Sequence, residues 1–185
     1  MENLNKKQFL TYDEPITFLE EKKGLIISDK EYARKTLLKI GYFPLINGYK
    51  EVFKESTNDQ FQRGTTFEDI YELYSFDNDL RNVCAHNDRL FDFRTKDALL
   101  DRSIYERLQI SKEKGRYKYG KNDFYAQVII LKLLLSDEDF RIFFHDLKVC
   151  FKKHPIHKEI LERMGFPENW ERIGRIKKYT KSEIY

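Results

Sequence analysis

The sequence is poor in the residues that build cross-links, metal cages and phosphate loops. It has two cysteines, four histidines and eight glycines in 185 residues. Cys84 and Cys150 stand in no spaced motif, which argues against a disulfide scaffold and predicts two reduced thiols. His145, His154 and His157 have no ligand set of zinc-like spacing around them, so no metal is expected. The glycines form no phosphate-cradling loop, and no cofactor is expected either. Long apolar runs are missing too: nothing approaches the ~18 residues a transmembrane helix needs, and no membrane partner is expected. The opening MENLNKKQFL lacks the apolar core and small-residue cleavage site of a secretory leader. These absences predict a cytoplasmic protein. Internal repeats, low-complexity tracts and strand-like alternation are also lacking, which leaves an all-α fold as the expectation.

What is present is apolar mass of an aromatic kind. The chain is 41% hydrophobic, with 15 phenylalanines and 12 tyrosines. That suffices for one domain with a proper core but not for two large ones. We expect a single domain over 1–185, an N-terminal helical region (1–64) preceding a long helix and C-terminal helices (65–185).

Helix punctuation is clear. Thr11 with Glu14 reads as a capping box with Pro15 in the first turn, and Gly24 as the stop. Ser28 with Glu31 repeats the device for a helix ending at Gly41. Residues 42–53, YFPLINGYKEVF, contain the breakers Pro44 and Gly48 and read as a packed turn. Thr65 with Glu68 opens a long helix free of Gly and Pro to about Phe91. Weaker helical periodicity covers 97–110. Asn122 and Asp123 cap the very apolar AQVIILKLLL, which should be buried, and Ser136 with Asp139 starts a helix running to Pro155. Short helices are expected at 156–164 and around Trp170.

The long helix carries the one cluster of catalytic character, RNVCAHNDRL at 81–90. Histidine exchanges protons near neutral pH, and a guanidinium can hold a phosphate gaining negative charge. Arg81, Asn82 and His86 therefore suit metal-independent RNA cleavage. At roughly 100° per residue, Leu73, Phe76, Leu80, Val83, Cys84, Leu90 and Phe91 form an apolar stripe. Asn82, His86 and Arg89 lie opposite it, with a solvated polar face as the competing reading. Arg81 points about 140° away from His86, so one helix does not easily aim both at one phosphate. A second, antiparallel copy related by a two-fold axis would bring both pairs together.

A second feature is charge. Residues 103–121 hold six basic side chains against two acidic ones. Lys114, Arg116, Lys118 and Lys121 alternate there with Tyr117 and Tyr119. Exposed aromatics among bases can hold phosphates and stack unpaired bases, which makes these six residues, with Arg89, candidate RNA-binding groups. The bland reading is a solvated linker. The tail from Arg172 to Lys181 is basic as well, and alone reads as an ordinary charged terminus.

Several blocks together resemble the Abi family of bacterial abortive-infection proteins, the AbiD/AbiF type, whose members resemble HEPN-domain ribonucleases. They are FLTYDEPITFLEEKKGLII, YFPLINGYKEVF, FEDIYELYSFDNDLR, RNVCAHNDRLF and MGFPENWERI, in the family's order and over most of the chain. The resemblance implies a HEPN-like helical bundle, with Arg81, Asn82 and His86 as its catalytic motif and Asn87 and Arg89 as flanking residues. It further implies a homodimer with one composite site, a toxin-like role in phage defence, RNA as partner and an RNA or protein antitoxin as another. The 2′-hydroxyl would be the nucleophile, so no DNA cleavage is expected. The match has one departure: the family separates FEDIY…FDxxLR from RNxCAH by a long helical segment, whereas here Arg81 ends one block and begins the other. Three readings stay open: a ribonuclease, a non-cleaving RNA-binding relative, and a shortened remnant with an interaction role.

Overall fold

The computed structural model describes residues 13–55, 58–86, 89–154 and 156–176. It is mostly helical, at 62% helix, with a single two-stranded sheet among the described residues. The chain divides into two compact units, Met1–Ile70 and Tyr71–Tyr185, the division falling inside one helix.

The first unit contains α1 (Asp13–Glu21), α2 (Lys30–Ile40) and α3 (Gly48–Phe53). Thr11 lies outside the described residues. Gly24, at φ +72°, turns the chain after α1 while the Leu25 N–H reaches back to the Leu19 carbonyl at 2.9 Å, a glycine C-cap. The cap of α2 is Asp29 rather than Ser28: its carboxylate accepts from the Tyr32 N–H at 2.9 Å. Asp29 already stands three residues before an amide that needs a partner, and this leaves Ser28 outside the helix.

Residues 42–53 correct the sequence reading more substantially. Phe43–Asn47 is a π-helical turn that runs directly into α3. Pro44 sits in the first turn, where its missing N–H costs nothing, and Gly48 takes ordinary helical angles (φ −66°). Leu45, Ile46, Tyr49, Val52 and Phe53 are all buried. Their spacing is that of one helical face; the two breakers hid it. An antiparallel bridge between Lys54 and Phe61 and a parallel one between Ile26 and Thr66 close the unit.

The long helix α4 spans Phe67–Ala85. Its capping box is Thr66 with Asp69, one residue later than expected. The Thr66 hydroxyl oxygen accepts from the Asp69 N–H at 3.1 Å, and the Asp69 carboxylate accepts from the Thr66 N–H at 2.8 Å. Thr65 is instead fully buried, its hydroxyl donating to the Gln62 carbonyl. At its other end α4 stops at Ala85 instead of continuing to Phe91; Leu90–Asp92 is a separate 3-10 turn.

In the second unit, residues 97–110 contribute only α5 (Ser103–Arg107). A β-hairpin follows, β1 (Lys112–Glu113) with β2 (Arg116–Tyr117), where a linker was expected. Its two-residue turn needs positive φ at both positions, and Lys114 (+50°) and Gly115 (+80°) supply it. Strands of two residues are too short to show alternation. The apolar helix α6 (Phe124–Leu134) is buried nearly all round, as its composition demands, and Asp123 caps it by accepting from the Ala126 N–H at 2.9 Å. Helix α7 (Asp137–Lys153) is capped by Ser136 as read from the sequence. Pro155 lies outside the described residues. After α8 (Lys158–Arg163), Phe166 and Trp170 join Phe144 and Phe151 in a cluster of ring contacts between 5.3 and 5.5 Å. A 3-10 turn, Trp170–Gly174, follows.

Candidate functional site

Burial along α4 fades toward its C-terminus. Phe67, Ile70, Leu73 and Phe76 are buried, Leu80 and Val83 only half-buried, and Cys84 is exposed. The expected apolar stripe therefore exists only in the first part of the helix. Polar ties hold the middle: Glu72 accepts from the Arg102 guanidinium at 2.5 Å and from the Leu100 N–H, and the Asp77 carboxylate accepts from the Gln127 amide at 3.0 Å. Beyond Leu80, no residue of the helix is buried.

Arg81 and Asn82 lie on that last exposed stretch, and His86 immediately follows it. All three are exposed. The His86 N–H donates to the Asn82 carbonyl at 3.0 Å, closing a final helical turn that stacks these two residues on one side. None of the three side chains makes a hydrogen bond or ion pair to a described residue. Asp79, one turn before Asn82, has its carboxyl pushed up, first by partial burial and then by the nearby Asp97 carboxylate. Asn87 lies outside the described residues.

The proposed RNA-binding residues occupy two elements. Lys114 and Arg116 are exposed on the hairpin. Tyr117, expected as an exposed ring, is buried: it stacks on Tyr105 with centroids 4.8 Å apart, and the Lys112 ammonium sits 4.4 Å from its centroid. Tyr105 is itself fully buried and supplies an apolar face that Tyr117 covers, so this ring is part of the core and cannot stack a base. Tyr119 is half-buried, with Lys118 5.0 Å from its ring centroid, and the hydrogen bond to Tyr119 raises the Lys118 pKa. Lys121 is engaged twice, with Asp101 at 2.8 Å and over the Tyr105 ring at 4.8 Å. The hairpin thus offers cations without free aromatic faces.

Arg89 leads into the 3-10 turn, its guanidinium carbon 6.0 Å from the Phe91 ring centroid. The same ring has the guanidinium of Arg163, from α8, at 5.5 Å. Arg163 comes from a distant helix, and no local pattern in the sequence announced it. No group of three or more His, Cys, Asp or Glu side chains that could hold a metal occurs among the described residues. Nor is any described helix long and apolar enough to cross a membrane.

Residues 35–81 match the family described as Abi-like protein. The matched stretch is a quarter of the chain. It runs from α2 to Arg81, so Asn82 and His86 lie just past its end. No curated protein and no solved structure matches the chain.

Proposed function

We propose, from the premise that the match over residues 35–81 supports an Abi-family, abortive-infection-type protein, that this chain is a metal-independent endoribonuclease acting as a toxin-like effector. The observation that carries the reading is the placement of Arg81, Asn82 and His86. All three are exposed at the C-terminal end of α4, Arg81 and Asn82 on its last turns and His86 just after it, and their side chains have no partner among the described residues.

The chemistry uses the RNA's own 2′-hydroxyl. Its oxygen attacks the adjacent phosphorus, the P–O5′ bond breaks, and a cyclic phosphate and a free 5′-hydroxyl result. One imidazole accepts the 2′-proton or donates a proton to the departing 5′-oxygen; His86 fills this role. The Arg81 guanidinium offsets the charge building on the phosphorane oxygens, and Asn82, one turn from His86, orients the imidazole or the phosphate. Positioned acid-base catalysis contributes about a hundred- to ten-thousand-fold, and charge stabilisation a comparable factor. Because Arg81 and His86 point about 140° apart on one helix, the proposal includes a homodimer in which two copies of α4 share one site.

Cleavage of total RNA by wild type and His86→Ala, run side by side, tests the assignment. The variant is expected to keep the wild-type circular dichroism spectrum and to lose cleavage. Undiminished cleavage by purified His86→Ala would sink it. The angular separation of Arg81 and His86 also favours a second reading, a non-cleaving RNA-binding relative. Salt-sensitive RNA binding by the wild type without any cyclic-phosphate product would select it.

A further inference from the structure

The turn after α4 is the point at which two distant parts of the second unit are fastened by arginines. Arg163, on the last turn of α8, pairs with the Asp92 carboxylate and lays its guanidinium carbon 5.5 Å from the Phe91 ring centroid. Arg89 approaches the same ring at 6.0 Å. Arg94 ties the two segments together, donating to the Arg163 carbonyl at 2.5 Å and to the Phe93 carbonyl at 2.6 Å. Arg89, Arg94 and Arg163 are all exposed. Among the described residues the acid paired in this patch is Asp92, which is itself half open to solvent at 46% exposure.

We propose that Arg89 and Arg163, both held against the Phe91 ring, form a phosphate-binding site that grips an RNA strand beside His86. Both guanidinium carbons lie within 6.0 Å of one ring centroid, so they are at most about 12 Å apart and can engage one strand together. A guanidinium carries five N–H donors, so Arg163 keeps several free after its bond to Asp92. Its planar fork suits phosphate oxygens, and the contacts with Phe91 and Asp92 restrain the Arg163 side chain before any ligand arrives. Chain connectivity places the α-carbon of Arg89 no more than about 11 Å from that of His86, within the reach of one bound strand. The choice of RNA over another polyanion rests on the ribonuclease reading; the geometry of the patch does not.

The test measures binding apart from cleavage, in a His86→Ala background, with a fluorescein-labelled oligouridylate read by anisotropy between 50 and 200 mM salt. Arg89→Ala and Arg163→Ala are each expected to weaken binding about tenfold. Each should also reduce the slope of log affinity against log salt by about 0.7, the share of one phosphate contact on a single strand. Asp92→Asn should do the opposite, tightening binding about two- to fivefold by releasing Arg163 from its carboxylate. A merely structural Asp92–Arg163 pair would give no gain. Unchanged affinity and slope in folded Arg89→Ala and Arg163→Ala proteins would overturn the proposal. If Arg163→Ala does not fold, weaker or unchanged binding by Asp92→Asn overturns it instead. Capture by phosphatidylserine vesicles with no binding of the oligonucleotide would assign the patch to a membrane surface and also overturn it. Absence of cleavage by wild type, with the arginine effects intact, refutes only the ribonuclease reading.

Discussion

The side chains proposed for catalysis have no hydrogen-bond or ion-pair partner among the described residues, whereas Asp123 shows what a structural polar residue looks like in this molecule. It is buried and accepts from the Ala126 N–H at 2.9 Å and the Gly120 N–H at 3.0 Å. Burial pushes its carboxyl above the usual range, and those backbone donors pull against the shift. Gly165 lies directly on it, at φ +83°, and a Cβ there would overlap the carboxylate. Gly165→Ala is therefore expected to destabilise the protein by about 2–5 kcal/mol, from the left-handed backbone and the overpacking together. A denaturant midpoint equal to that of wild type would refute this account. The caps at Asp123 and Ser136 were legible from the residues themselves, because a cap is a local device. Tyr117 was not, because a tyrosine between basic residues reads as exposed until Tyr105 is seen beneath it.

At the level of elements, the ends and contacts of helices decide more than their periods. Asp59, on the loop after α3, joins Lys23, which follows α1, with Lys54, which ends α3 at 3.0 Å. The Lys23 and Lys54 ammonium groups hold its carboxyl well below the usual carboxylate range. A carboxylate with a depressed folded pKa contributes stability that is complete above its unfolded value of about 4 and is lost as pH falls toward the folded one. Melting temperatures of wild type should thus fall more steeply below pH 4 than those of Asp59→Asn, with the variant the less stable at pH 7. Parallel curves for the two proteins would remove Asp59 from the acid response. The same scale explains the misread segments. Pro44 and Gly48 break a helix only in its interior, and here one stands in a first turn and the other takes helical angles. The end of α4 at Ala85 was invisible because residues 86–91 contain neither Gly nor Pro.

For the whole molecule, the proposed chemistry depends on how many copies make one site. If two copies of α4 pool their residues, mixing Arg81→Ala with His86→Ala protein should restore part of the cleavage that each lacks alone. A heterodimer then carries one composite face with an intact arginine and histidine. Wild-type sedimentation should give twice the 22.5 kDa chain mass. Single mutants that stay dimeric yet never complement one another would count against the shared site.

Local patterns account for the helical class, the buried apolar helix α6, most of the capping positions within one residue, and the residue types gathered at 81–89. These depend on neighbours three or four positions apart, which a linear reading can see. The loss of cover on α4 after Phe76, the place of Tyr117 in the core and the approach of Arg163 and Arg89 to one Phe91 ring come from tertiary packing alone. Burial and charge proximity are sums over residues far apart in the chain, and no local pattern carries that sum.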